Sequence, residues 1–311
     1  MRFFEYTEEI MMSFARQITA ITTVVIAATV SLNVSASESL FGVIKGAETL
    51  PAGAMEIYQK VNRRSDKDTG DYVAYDFTTE VEYGFSNRFS GSAALKMLSL
   101  DTSGLIIDGY LPSANDFGLK LSGMEVAGKY MFLSPAKDDI GLSVYMSGNY
   151  DWIDPHSGQD KDTFSIETDV QLQKYFLEGE MIWATNFGVE MTYADRAEID
   201  NLPEDFDWPT DPEMEIELKV GTGLSYRVAP KWFVGVETFY ETEFETEVGQ
   251  ERWSIFAGPS LHYGSAEWWA TLAWLKQIEG GGEQYENQPD NSLHLIEKTK
   301  QELTFMVGFN F

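Results

Sequence analysis

The chain has no cysteine and only three histidines in 311 residues. Disulfides, thiol chemistry and cysteine metal sites are therefore excluded. In an exported protein the same absence avoids mispairing in an oxidising compartment. Basic residues are scarce: 22 Lys and Arg face 50 Asp and Glu, a formal net charge of −28. That balance argues against nucleic acid as a partner, since neutralising phosphates needs a basic face. Long hydrophobic runs are missing except over residues 18–32, and mean hydropathy is −0.24, too polar for a bundle of membrane helices. After Ala36 there is no helical periodicity of useful length.

What is present is aromatic and β-branched. Aromatics make up 14% of the chain, which argues against acidic disorder. The run Ile18–Leu32, ITAITTVVIAATVSL, falls short of the roughly 20 residues needed to span a bilayer. Arg16 precedes it and the small residues Val34, Ser35 and Ala36 follow, the layout of a secretory signal peptide over residues 1–36. Glu5, Glu8 and Glu9 do not suit the start of such a peptide, so translation is expected to begin at Met11 or Met12. Residues 37–311 are then expected to form one domain.

Alternation at period two recurs throughout that domain. In VAYDFTTEVEY, Val73, Tyr75, Phe77, Val81 and Tyr83 share one face, opposite Asp76, Thr78, Glu80 and Glu82. Strands are predicted over 53–63, 72–84, 88–99, 118–132, 139–152, 162–176, 181–193, 213–227, 231–242, 251–263, 267–277 and 298–311. Many match the roughly 9–11 residues of a tilted strand that crosses a bilayer. Tight connections (85–88, 134–139, 177–180, 228–231, 264–267) alternate with longer ones. That asymmetry predicts an all-β, antiparallel, up-and-down transmembrane barrel of about 12 strands with both termini periplasmic. Closure is required because an open sheet edge is not tolerated in hydrocarbon. Two points are less regular. In EWWATLAWLK, Trp268, Ala270, Leu272 and Trp274 are read as outward, yet Trp269, Ala273 and Leu275 are nearly as apolar; Pro259 predicts a bulge or weakened pairing in the tenth strand.

The chain ends on QELTFMVGFNF, in which Leu303, Phe305, Val307, Phe309 and Phe311 take alternate positions. Signal peptide, period-two strands and terminal Phe together resemble Gram-negative outer-membrane β-barrel proteins. The opening LFGVIKGAETLPAGAMEIYQ, with Glu48, Thr49, Leu50, Pro51 and Gly53, resembles the start of an uncharacterised family of such barrels. The resemblance implies residence in the outer membrane and a C-terminal strand read by the barrel-assembly machinery. It implies no substrate.

Alternation assigns Asp76, Glu80, Glu82, Glu167, Asp169, Glu190, Glu213, Glu215, Glu217, Glu237 and Glu241 to the lumen, with Lys129, Lys219 and Arg227 partly offsetting them. An acidic conduit raises local cation concentration, which favours a porin-like channel for cations or small polar solutes. The alternative is a lumen filled by an ion-pair network, giving a structural or adhesive barrel. Its acidic external loop, residues 195–213, would bind divalent cations or lipopolysaccharide. DKDTGD at 66–71 has Gly70 one position early for a calcium loop. Ser260 and His262 share a face, as a lipid hydrolase would need, but alternation turns that face inward. No nucleophile elbow or HExxH occurs, so no enzyme, metal or cofactor is expected.

Overall fold

The computed structural model describes residues 39–67, 70–103, 115–198, 211–245, 249–284, 288 and 290–311. The signal-peptide reading, the Met11 or Met12 start and most of the acidic 195–213 loop lie outside the described residues. So does part of 66–71.

Twelve strands follow one another: β1 (Met55–Ser65), β2 (Asp71–Ser86), β3 (Phe89–Ser103), β4 (Asn115–Leu133), β5 (Gly141–Ile153), β6 (Asp160–Phe176), β7 (Met181–Arg196), β8 (Glu213–Ala229), β9 (Trp232–Glu245), β10 (Gly249–Gly264), β11 (Trp268–Gly282) and β12 (Gln301–Asn310). Each pairs antiparallel with its sequence neighbours, and β12 returns to β1 from Glu56↔Asn310 to Ser65↔Gln301. The barrel is closed, so no ladder is left with a free edge. Strand ends differ from the alternation pattern by a few residues, because hydrogen bonding continues past the last apolar position.

The outward faces are apolar and bare: Leu95, Val126, Met146, Phe164, Met191, Val236 and Phe305 are all exposed. A surface of this extent is unstable in water and requires lipid. Aromatic clusters mark its two borders. At the short-turn end Tyr83, Phe85 and Phe89 pack in sequence, and Trp232, Tyr263 and Trp268 do the same. At the other end Tyr150 packs on Trp152 and Tyr240 on Trp253. Such girdles suit the two headgroup levels. Replacing Val126, 63% exposed on β4, with Arg should therefore cost about 2–4 kcal/mol in lipid vesicles, measured by urea unfolding. A cost near zero would mean that this face does not meet hydrocarbon.

Strand β11 settles its own ambiguity. Trp268, Leu272 and Trp274 are exposed, whereas Trp269, Ala273 and Leu275 are buried inside. The pairing of β10 with β11 is interrupted at Gly258 and Pro259, between Ala257↔Lys276 and Ser260↔Ala273. The β9 side remains paired through both residues. Proline has no N–H to give the ladder, so pairing lapses at Pro259, but the bulge of this ladder lies earlier, between Ile255 and Phe256.

Candidate functional site

The interior differs from a uniformly wet conduit. Residues 39–50 enter the barrel, and Phe41, Ile44, Ala47 and Leu50 are buried. Phe41 and Ile44 join Ala184, Phe239, Phe256 and Leu275 in one apolar cluster. The wall is shaped for them by glycine. A Cβ on Gly223 would stand 2.7 Å from the Phe41 ring, and one on Gly221 would stand 2.4 Å from the Ile44 Cδ1. Glycines inside strands mark just such close approaches.

The segment adds no strand, so its backbone groups need other partners. The Glu237 carboxylate accepts the N–H groups of Gly42, Val43 and Ile44 at 2.6, 2.9 and 3.2 Å. Asn186 accepts the Lys45 N–H at 2.7 Å and donates to the Lys45 carbonyl at 2.8 Å. Gln173 accepts the Ala47 N–H at 2.7 Å, and Lys129 donates to the Gly46 carbonyl at 2.6 Å. At the short-turn end Asn87 accepts the Ala52 N–H and the Thr49 hydroxyl.

The charge of the segment fits as well. Lys45 Nζ lies 3.8 Å above the Tyr145 ring, and the Tyr145 hydroxyl donates to Glu125 at 2.7 Å. Burial disfavours the Lys45 cation, but Tyr145, Glu167, Glu125 and Asp169 outweigh it and raise its pKa. A cavity of about 70 Å³ remains beside it, lined in part by Glu80, Glu82, Tyr58 and Lys129.

The long-loop end is covered from two sides. Arg64 holds Asp76 at 2.6 and 2.8 Å and donates to the Pro155 carbonyl at 2.6 Å, drawing in the β5–β6 connection. In the β11–β12 connection, Lys298 reaches Glu241 at 2.8 Å and Glu217 at 3.6 Å. Gln277 bonds the N–H and carbonyl of His294 and the carbonyl of Thr299. A second apolar cluster (Tyr72, Ala74, Leu98, Leu100, Ile153) stands inside this end. A cavity of about 210 Å³ lies under the two connections, with Arg64, Asp76, His156, Glu297, Lys298 and Glu302 in its wall.

The acidic residues named from alternation fall at distinct levels. Glu237, Glu80 and Asp169 are buried around the N-terminal segment. Asp76, Glu217 and Glu241 pair with cations near the long-loop end, and Glu213 pairs with Lys161 and Arg196. Glu82, Glu167, Glu190 and Glu215 are half-buried on the inner wall. Lys219 pairs with Glu217 at 2.9 Å, and Lys129 holds the segment. Arg227 departs from the expectation: it is exposed beside Glu180 at the short-turn end, because β8 has by then risen past the lumen. His262 faces inward and bonds Thr271 through Nδ1 at 2.7 Å. Ser260 is buried on the same inner face, away from lipid. Alternation did not point to Gln173, Asn186 or the three-fold role of Glu237. The inward glycines of β8 were the signal available.

Several outer-membrane proteins of known structure resemble the chain. An outer-membrane channel of the COG4313 group from Pseudomonas putida F1 superposes with a TM-score of 0.50 at 13% identity, covering 85% of this chain and 98% of that one. The β domain of the Bordetella autotransporter BrkA gives 0.48 at 12% identity, over 83% and 100% of the two chains. The KdgM porin gives 0.43 at 10%, over 82% and 99%. No curated protein matches the chain in sequence. Architecture and apolar belt are those of an outer-membrane β-barrel, and residues 33–311 match one family model along their whole length. The chain belongs to the family of unknown function DUF6662.

Proposed function

We propose that the protein is an outer-membrane channel for cations or small polar solutes whose conduit is held shut by its own residues 39–50. The observation that carries this reading is how the segment is held. Its polar ties run to side chains, so it can leave without breaking a ladder hydrogen bond. Its departure removes the Lys45 cation from among Glu125, Glu167 and Asp169 and leaves an acidic wall. In this reading the short-turn end and both termini face the periplasm, a cleaved leader over 1–36 exports the chain, and 37–311 is one barrel domain. Leu303, Phe305, Val307, Phe309 and Phe311 serve the assembly machinery.

Planar bilayers with a tenfold KCl gradient, carrying the barrel that lacks residues 39–50, test the reading. The expected reversal potential favours K⁺, and E215Q/E217Q lowers that preference. An anion-selective current would refute the acidic conduit. A second reading, a non-conducting structural barrel, is favoured by the apolar clusters inside both ends. It requires no current and no liposome swelling in sugars or amino acids even after the segment is removed.

A further inference from the structure

Glu243 on β9, Glu251 on β10 and Glu297 in the β11–β12 connection bring carboxylate oxygens within 4.8 Å of one another. Spacing in sequence gives no hint of this, because three separated segments supply the donors. Glu251 comes from the break in register between Gln250 and Arg252, where a bulge re-aims a side chain. Arg252 pairs with Glu243 and with Glu297, bringing one positive charge to three carboxylates. A second observation is independent of the clustering. The Glu243 side chain is only 5% exposed, and its Oε1 is buried with no hydrogen-bond partner. A buried carboxylate oxygen without a partner is costly, and the crowding of three carboxylates adds to that cost.

We propose that Glu243, Glu251 and Glu297 bind a calcium ion that clamps the β11–β12 connection over the barrel mouth. All three donors are carboxylate oxygens, which selects hard cations and disfavours zinc or copper. Calcium accepts irregular sets of carboxylate oxygens at about 2.3–2.6 Å, whereas magnesium demands near-octahedral geometry and keeps most of its waters. The ion satisfies Glu243 Oε1 and relieves the repulsion among the three carboxylates. It also joins Lys298 in fastening this connection to the wall.

The test uses the mature protein in detergent, stripped with EDTA and dialysed against radioactive CaCl₂ at neutral pH. The expected result is one saturable Ca²⁺ per chain, with an affinity in the range of extracellular calcium modules, about 0.1–1 mM. E297Q and E243Q should each weaken binding on the order of tenfold, because ligand charge count sets affinity. E267Q, at the short-turn end, should leave it unchanged. Ca²⁺ should also slow tryptic cleavage after Lys298 and Lys300 in the wild type and not in E297Q. Glu297 lies outside the barrel wall, so heat-modifiable migration on gels verifies that E297Q is folded. Absence of saturable binding, or full binding by folded E297Q, overturns the proposal.

Discussion

Deleting residues 39–50 is expected to convert a silent barrel into a conducting one. The segment packs Phe41 and Ile44 on one part of the inner wall and ties Lys45 and Ala47 to Asn186 and Gln173, so its loss frees that interior space for water. A gentler variant separates opening from damage to the wall. Gly223→Phe places a ring where Phe41 now sits, since even a Cβ would lie 2.7 Å from that ring. Segment and new side chain cannot both be accommodated, so G223F should conduct while every strand keeps its pairing. E237Q should give intermediate behaviour. Three N–H groups share the Glu237 carboxylate, and a hydrogen bond to a charged group contributes about 1.5–3 kcal/mol. Weakening even one of them raises the open population roughly tenfold. Single-channel recording on all three variants reads the result directly. A barrel that stays silent after deletion, while migrating as folded, would leave the segment without a gating role.

Acidification is the second large effect, and it acts at the opposite end. His294 is 1% exposed in the β11–β12 connection, and its pKa is pushed down to about 3. Burial is the main cause; Arg252, Lys298 and Lys67 add repulsion. His156, in the β5–β6 connection, is lowered in the same way by burial and by Lys67 and Arg64. The sign follows from linkage. A released His294 titrates near its ordinary value of about 6.5, so the packed connection binds fewer protons than the released one below that pH. The stability it contributes is complete above about 6.5 and is lost as pH falls toward about 3. At pH 4 the loss is about 3 kcal/mol for His294. Amide exchange in the connection, normalised to the intrinsic exchange rate at each pH, should therefore rise steeply between pH 6.5 and 4. H294Q should lose most of that dependence while remaining folded. Equal pH profiles for wild type and H294Q would sink the prediction.

Arg64 offers a contrast in kind. It is buried, holds Asp76 through two hydrogen bonds and anchors Pro155. Removing one partner of such a pair strands the other, so R64L should destabilise this mouth by about 3 kcal/mol. Heat-modifiability and urea unfolding of the refolded protein measure it.

Particular residues show where the sequence sufficed. Val73, Tyr75, Phe77, Val81 and Tyr83 declare an outward face because lipid accepts apolar side chains and nothing else, and the pleat turns every second residue toward it. That single constraint fixes strand number, face and closure. It carries no information about what fills the lumen, since a water-filled interior and an ion-paired one ask for the same polar alternation. Trp269, Ala273 and Leu275 made β11 ambiguous because they serve the interior rather than lipid: Leu275 joins the cluster around Phe41, Ala273 lies against Gly42 and the Trp269 indole N–H donates to Glu56. Glu237 looked like one more lumenal acid until its carboxylate met three backbone N–H groups about 195 residues earlier in the chain. The sequence determined a lipid-facing barrel by local periodicity. The tertiary structure alone decided that residues 39–50 lie inside the barrel, because closure of the ladder brings together side chains that no local pattern links.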